Sequence, residues 1–127
     1  MKLNQDCVRE ILLFIEEKQK PGQSLYIENI ITSLKSKGYT EEEIKYALSK
    51  LKETPYTTLN LTQYDGLVLG GTSEALTWEG HQFLDNIRNT STWKSIKSTV
   101  NEKVGNASIS IIAAVAESYI KHKLGLN

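Results

Sequence analysis

Two histidines, one cysteine and a scatter of carboxylates are the groups here that could carry acid–base, nucleophilic or metal chemistry, and their spacing argues against all three. His81 and His122 are far apart, and neither belongs to a metal-ligand spacing. Glu79 and His81 stand two residues apart, which puts them on different sides of a helix. Cys7 lies on an amphipathic segment, where a lone cysteine usually packs, and with no second cysteine it fits a reducing compartment. Gly70-Gly71 lacks the following lysine that a phosphate-cradling loop needs. The sequence therefore predicts a non-enzymatic protein with no catalytic residue, metal site or cofactor.

Binding chemistry is better represented. If the segment around residues 41–53 is a helix, Lys45, Tyr46, Ser49, Lys50 and Lys52 point outward from it. On a DNA-reading helix the lysines would meet phosphates, while Ser49 or Tyr46 would approach base edges. Lys35 and Lys37, with Gln23 and Ser24, would contact the flanking backbone. A solvated helix face accounts for the same residues. Against DNA stand the absence of Arg, Asn and Gln from this helix and of any Lys or Arg from residues 54–74. Glu41, Glu42 and Glu43 at its start add repulsion. The alternative surface is aromatic: Tyr46, Tyr56 and Tyr64 surround the same region, and tyrosine is enriched at protein interfaces. Tyr39, nearby, is expected to cover the edge of the core.

The elements that must hold these residues follow from periodicity. Val8, Ile11, Leu12 and Ile15 recur at helical spacing in a segment from Asn4 to Lys20, ended by Pro21-Gly22. Ser24-Leu25-Tyr26 reads as a small strand. A second helix from Ile27 to Lys37 carries Ile27, Ile30, Ile31 and Leu34 and stops at Gly38. Thr40-Glu41-Glu42-Glu43 forms a capping box for a third, whose buried face is Ile44, Ala47, Leu48 and Leu51 and which Pro55 limits. The period then changes to two. Thr57, Leu59 and Leu61 alternate with polar residues, Asp65-Gly66 makes a tight turn and Leu67-Val68-Leu69 resumes a strand. Gly70-Gly71-Thr72-Ser73 reads as a further turn before a last short strand at Ala75-Leu76-Thr77. A fourth helix, capped by Thr77, reaches Arg88 with Trp78, Phe83, Leu84 and Ile87 as its apolar members. Asn89-Thr90-Ser91 breaks it, and a fifth runs from Thr92 to Val104. The sixth, from Ser108 to Leu124, is apolar over much of its surface and is expected to be buried on several sides or paired with a second copy.

Three helices followed by a β-hairpin is winged-helix order. The fold class predicted is α+β, a winged helix over residues 1–89, with a C-terminal helical extension over 90–127 for packing or dimerisation.

Two long stretches, MKLNQDCVREILLFIEE at the start and LTWEGHQFLDNIRN in the middle, resemble a family of short phage and prophage proteins of unknown function, as does the ending SISIIAAVAESYIKHKLGL. The resemblance implies a bacterial or phage source and a winged-helix fold, and brings no activity or functional residue with it. Within LTxxGxxFL the physical roles are a core leucine, a threonine cap, a glycine for close packing and a buried Phe-Leu pair.

The totals fit this reading. The 127 residues are 39% hydrophobic and 24% charged, ordinary for a globular chain. Fifteen basic residues balance fifteen acidic ones, nine of each before residue 54 and six of each after it, so neither half is a phosphate-binding surface by composition. The N-terminus has no signal-like apolar region, and residues 109–116 are too short to span a bilayer. A cytoplasmic location in a bacterial cell is expected, and the N-x-S/T sequences at Asn60, Asn89 and Asn106 carry no weight there. Topology points first to a DNA-associated regulatory role with double-stranded DNA as partner. The alternative is a protein-interaction module binding a host or phage factor through the hairpin and third helix. A homodimer through the C-terminal helix is a third expectation about partners.

Overall fold

The computed structural model describes residues 1–105 and 107–126, so the N-x-S sequence at Asn106 lies outside the described residues. The described elements are α1 (Gln5–Lys18), β1 (Leu25–Tyr26), α2 (Ile27–Ser36), α3 (Glu41–Lys52), β2 (Thr57–Tyr64), β3 (Leu67–Leu76), α4 (Trp78–Ile87), α5 (Thr90–Val104) and α6 (Ile109–Lys123). The fold is α+β, with a three-stranded antiparallel sheet in the order β1-β3-β2. The chain divides into two compact units, Met1–His81 and Gln82–Asn127.

In the first unit, α1, α2 and α3 pack on one another and on the sheet. Val8, Ile11, Leu12 and Ile15 of α1 meet Ile27, Ile30 and Leu34 of α2 and Ile44, Ala47, Leu48 and Leu51 of α3, all removed from water. Burying each such Leu or Ile side chain is worth about 1.5–3 kcal/mol. Helix ends are specified by local chemistry. Asn4 caps α1 by accepting from the Cys7 N–H. After α2, Gly38 adopts φ +99°, which lets the Tyr39 N–H reach back to the Leu34 carbonyl at 3.2 Å. The capping box at Thr40 and Glu43 is complete in both directions.

The hairpin turns at Asp65 and Gly66, both at positive φ as a two-residue primed turn requires. Beyond it the structure differs from the sequence expectation. Gly70-Gly71-Thr72-Ser73 is not a turn but the middle of β3, which runs unbroken to Leu76. Gly71, at φ +142°, lies opposite Leu61, and a Cβ there would collide with the Asn60 carbonyl oxygen. Gly71 thus allows close strand approach rather than reversal. Two bulges, skipping Glu74 and Leu69, fall in β3. Ser73 is fully buried where β3 pairs with β1 on one side and β2 on the other.

The α4 helix also departs from its expected pattern. Thr77 Oγ1 accepts from the Gly80 N–H as a cap should, and Phe83, Leu84 and Ile87 are buried. Trp78, however, is 74% exposed. It precedes Ile87 by nine residues, which at about 100° per residue is the opposite side of the helix. Gly80 packs against Tyr56 and Leu76 so closely that a Cβ would overlap the Tyr56 carbonyl oxygen. That is the close packing expected of this glycine.

Within the second unit α5 and α6 pack on each other. Asn89, read as part of a break, is the N-cap of α5 and accepts from the Thr92 N–H at 2.9 Å, so the helix starts at Thr90. Ser108 caps α6 in the same way. The α6 helix buries one stripe, Ile109, Ile112 and Ala116, rather than several sides, and leaves Ile111 48% exposed. Alanines supply much of its apolar count, and they carry too little area to demand burial all round. No described helix is long and apolar enough to cross a membrane.

Candidate interaction surface of α3 and the hairpin

The α3 helix is held by interlocked caps. Glu43 Oε1 accepts from the Thr40 N–H at 2.9 Å while Thr40 Oγ1 accepts from the Glu43 N–H at 3.1 Å. Glu43 Oε2 also accepts from Asn4 Nδ2 at 2.9 Å, joining the start of α3 to the cap of α1. The Thr40 amide, and then the Asn4 amide, hold the Glu43 carboxyl below the usual carboxylate range. At the other end the Leu51 carbonyl accepts from the hydroxyls of Thr54 and Thr57. With both ends tied down, the outward face of α3 is rigidly presented.

On that face, Tyr46, Ser49, Lys50 and Lys52 join Glu53 and the hairpin residues Gln63 and Gly66 to line an open groove of about 520 Å³. Four of the residues expected at a binding surface are thus brought together. Ser49 Oγ donates to the Tyr46 carbonyl at 2.7 Å, and the Lys50 ammonium lies 5.5 Å from the centre of the Tyr46 ring. The structure places the other candidates differently. Lys45 and Lys35 both pair with Glu41, at 3.1 and 3.5 Å, and Lys37 pairs with Glu10 at 2.9 Å. In the groove Lys50 pairs with Glu53 at 3.2 Å, and Lys52 Nζ donates to the Leu59 carbonyl at 3.4 Å. Of the five candidate lysines, four carry a carboxylate partner. Glu41 is held below the usual carboxylate range by Lys45 first and Lys35 second.

The tyrosines do not form one patch. Tyr46 is half-buried in the groove. Tyr56 precedes β2 and Tyr64 ends it, so the length of the strand separates them. Tyr56 is half-buried, and burial pushes its phenol pKa up. Tyr39 is half-buried too, its pKa raised by burial and then by Asp6, as suits a residue at the core edge. Tyr64 is 71% exposed, and across the turn Leu67 and Leu69 are 54% and 56% exposed.

Ser24, a candidate backbone contact, is engaged within the fold. Its hydroxyl donates to Glu74, which also accepts from Thr72 Oγ1 at 2.7 Å. Thr72 and then Ser24 depress the Glu74 carboxyl pKa. Cys7 is fully buried, and burial, with Glu43 and Glu10 nearby, pushes its thiol up to about 12. Among the described residues no three His, Cys, Asp or Glu side chains are grouped as a metal ion would need.

A family model described as "Hypothetical protein (DUF2513)" matches residues 2–106. The chain belongs to the DUF2513 family. This DUF2513 member is also similar to an uncharacterized protein of Haemophilus influenzae, 30% identical over 130 residues that cover 98% of this chain and 99% of the relative. No solved structure matches it.

Sequence reasoning missed two features of this DUF2513 chain. The exposed pair Leu67 and Leu69 looked like ordinary strand residues; alternation puts them on one face opposite buried Val68, and only the tertiary structure shows that their face is the uncovered one. The Asn4–Glu43 link joins residues 39 apart, and neither side chain signals it.

Proposed function

We propose that this chain is a winged-helix protein-interaction module that contacts its partner through the hairpin tip and the adjoining face of α3. The observation that carries the reading is the hairpin surface. It exposes Tyr64, Leu67 and Leu69, and none of its own residues is a Lys or Arg. An aromatic and two leucines at a rigid turn are the residue types that protein interfaces desolvate, and a phosphate backbone gains nothing from them. The element order, three helices with a short strand after the first and a closing hairpin, supports the winged-helix assignment. The resemblance to short phage and prophage proteins supports an origin of that kind and a cytoplasmic place of action.

A test is selection of a displayed random-peptide library on the immobilised protein and on a Leu67→Asp, Leu69→Asp variant. Enrichment of a sequence class on the first and not on the second is expected. Equal enrichment on both removes the hairpin from the interface.

Double-stranded DNA is the second reading, favoured by the gathering of Tyr46, Ser49, Lys50 and Lys52 on one side of α3. It predicts duplex affinity that falls steeply with salt, with a slope reduced by about one for each lysine that contacts a phosphate and is replaced by alanine.

A further inference from the structure

The register of the sheet says which residues share the face turned away from the helices. Leu59, Val68 and Ser73 are buried on the side where α1, α2 and α3 pack. Directly paired residues of an antiparallel sheet point to the same side, and alternate residues of a strand return to it. Tyr26 pairs with Thr72 and Thr72 with Asn60, a row across β1, β3 and β2. Asn60 is exposed and alternates with buried Leu59, so the row lies on the outer side. Further along β2 that side carries Tyr64, which pairs with Leu67. Tyr26 is 62% exposed and Tyr64 71%, one at the β1 edge and the other at the tip of the hairpin.

The charge of this face is of one sign. Residues 21–34 and 54–81, which hold all three strands, contain no Lys or Arg. Glu74 lies beside the row, its carboxylate accepting from the hydroxyls of Thr72 at 2.7 Å and Ser24 at 2.8 Å, bonds that keep it ionised. Glu28 Oε1 comes within 3.2 Å of where a Cβ on Gly70 would stand, and Asp65 is exposed in the turn. The cations of α3 belong to the other side. Lys50 pairs with Glu53 and lines the groove with Gln63, whose register partner is buried Val68, and Lys52 is bonded to the Leu59 carbonyl.

We infer that the outer sheet face takes a basic, apolar segment of a partner protein, its Arg or Lys side chains set against Glu28, Glu74 and the two tyrosine rings, its apolar side chains against Leu67 and Leu69. The inference rests on the protein-interaction reading above and adds the partner's chemistry to it. Charge complementarity chooses the occupant. Carboxylates and the faces of tyrosine rings both attract a cation, and Arg suits the two together because its guanidinium pairs with a carboxylate and stacks on a ring. An acidic segment or a phosphate backbone meets only like charge on this face, and so does the same face of a second copy.

A displayed random-peptide library, selected on the immobilised full chain and sequenced, tests it. Enrichment of peptides that combine Arg or Lys with Leu or aromatic residues is expected, with an affinity in fluorescence anisotropy that falls as salt rises. Tyr26→Ser and Glu28→Lys should each weaken those peptides about threefold to tenfold. Both positions are exposed, and a cooperative circular-dichroism melt of each variant establishes that the fold is kept. Enriched peptides that are neutral or acidic overturn the inference; if Leu67→Ser, Leu69→Ser abolishes their binding, the hairpin reading itself stands. Basic peptides that bind Tyr26→Ser and Glu28→Lys as they bind the parent overturn it too. Basic peptides weakened by those two variants but indifferent to Leu67→Ser, Leu69→Ser leave the basic occupant in place and retire the hairpin reading.

Discussion

The Asn4 side chain accepts from the Cys7 N–H to close α1 and donates to Glu43 to steady the start of α3. Because Glu43 serves the capping box and Asn4 together, its folded pKa lies below its ordinary 4.5. A carboxyl depressed on folding contributes stability that is present above the unfolded pKa and lost as pH falls through the folded one. Glu43→Gln should therefore melt lower than the parent at neutral pH, and the gap should close as pH drops below 4.5, read by thermal melts across acid pH. Thr40→Ala, which removes the hydroxyl cap, should cost about 1 kcal/mol in denaturant titration. Cys7 makes a second prediction. A thiol this buried, with its pKa pushed to about 12, holds almost no thiolate near neutrality. Iodoacetamide should leave the native chain unlabelled and modify it only at the rate of unfolding; prompt native-state labelling would contradict this burial.

At the scale of elements, the hairpin and the first turn of α4 depend on two glycines for the same reason, a close approach to a backbone carbonyl. Gly71 lets β3 pass close to Asn60, and Gly80 lets α4 sit against the Tyr56 carbonyl. The roles differ in how legible they are. Gly80 stands three residues after a threonine cap and three before a buried Phe-Leu pair, so its helical place and packing role are readable. Gly70-Gly71 reads as a turn because paired glycines usually make one, and only the register against β2 shows them inside a strand. Gly80→Ala should destabilise by about 1–3 kcal/mol through overpacking. An alanine tolerated there at no cost would mean that α4 can move away from Tyr56. Ser73 reverses the usual sign. Its hydroxyl is fully buried and has no hydrogen-bond partner among the described residues. Ser73→Ala should be neutral or stabilising in urea titration, since it removes an unpaired polar atom; a clear loss would reveal a partner for the hydroxyl.

For the molecule as a whole, net charge is zero and the cations of α3 are largely spoken for by carboxylates. On the protein-interaction reading, mixed-sequence duplex should bind weakly, and replacing Lys50 and Lys52 with alanine should change that binding little. Fluorescence anisotropy at several salt concentrations decides it. Tight binding with a steep salt slope that both substitutions flatten would transfer the function to DNA. The sequence by itself determined which segments are helices, where the Thr40 box starts α3, where Asp65-Gly66 turns the hairpin and that Cys7 packs inward. These are local matters of periodicity, capping and backbone preference, settled within a few residues. Only the tertiary structure decided that β3 runs through Gly71, that Trp78 faces solvent, that Glu41 neutralises lysines from two helices and that β2 is left at the edge. Each depends on what lies opposite a residue across the fold, and burial, register and ion pairing are properties of that neighbour as much as of the residue itself.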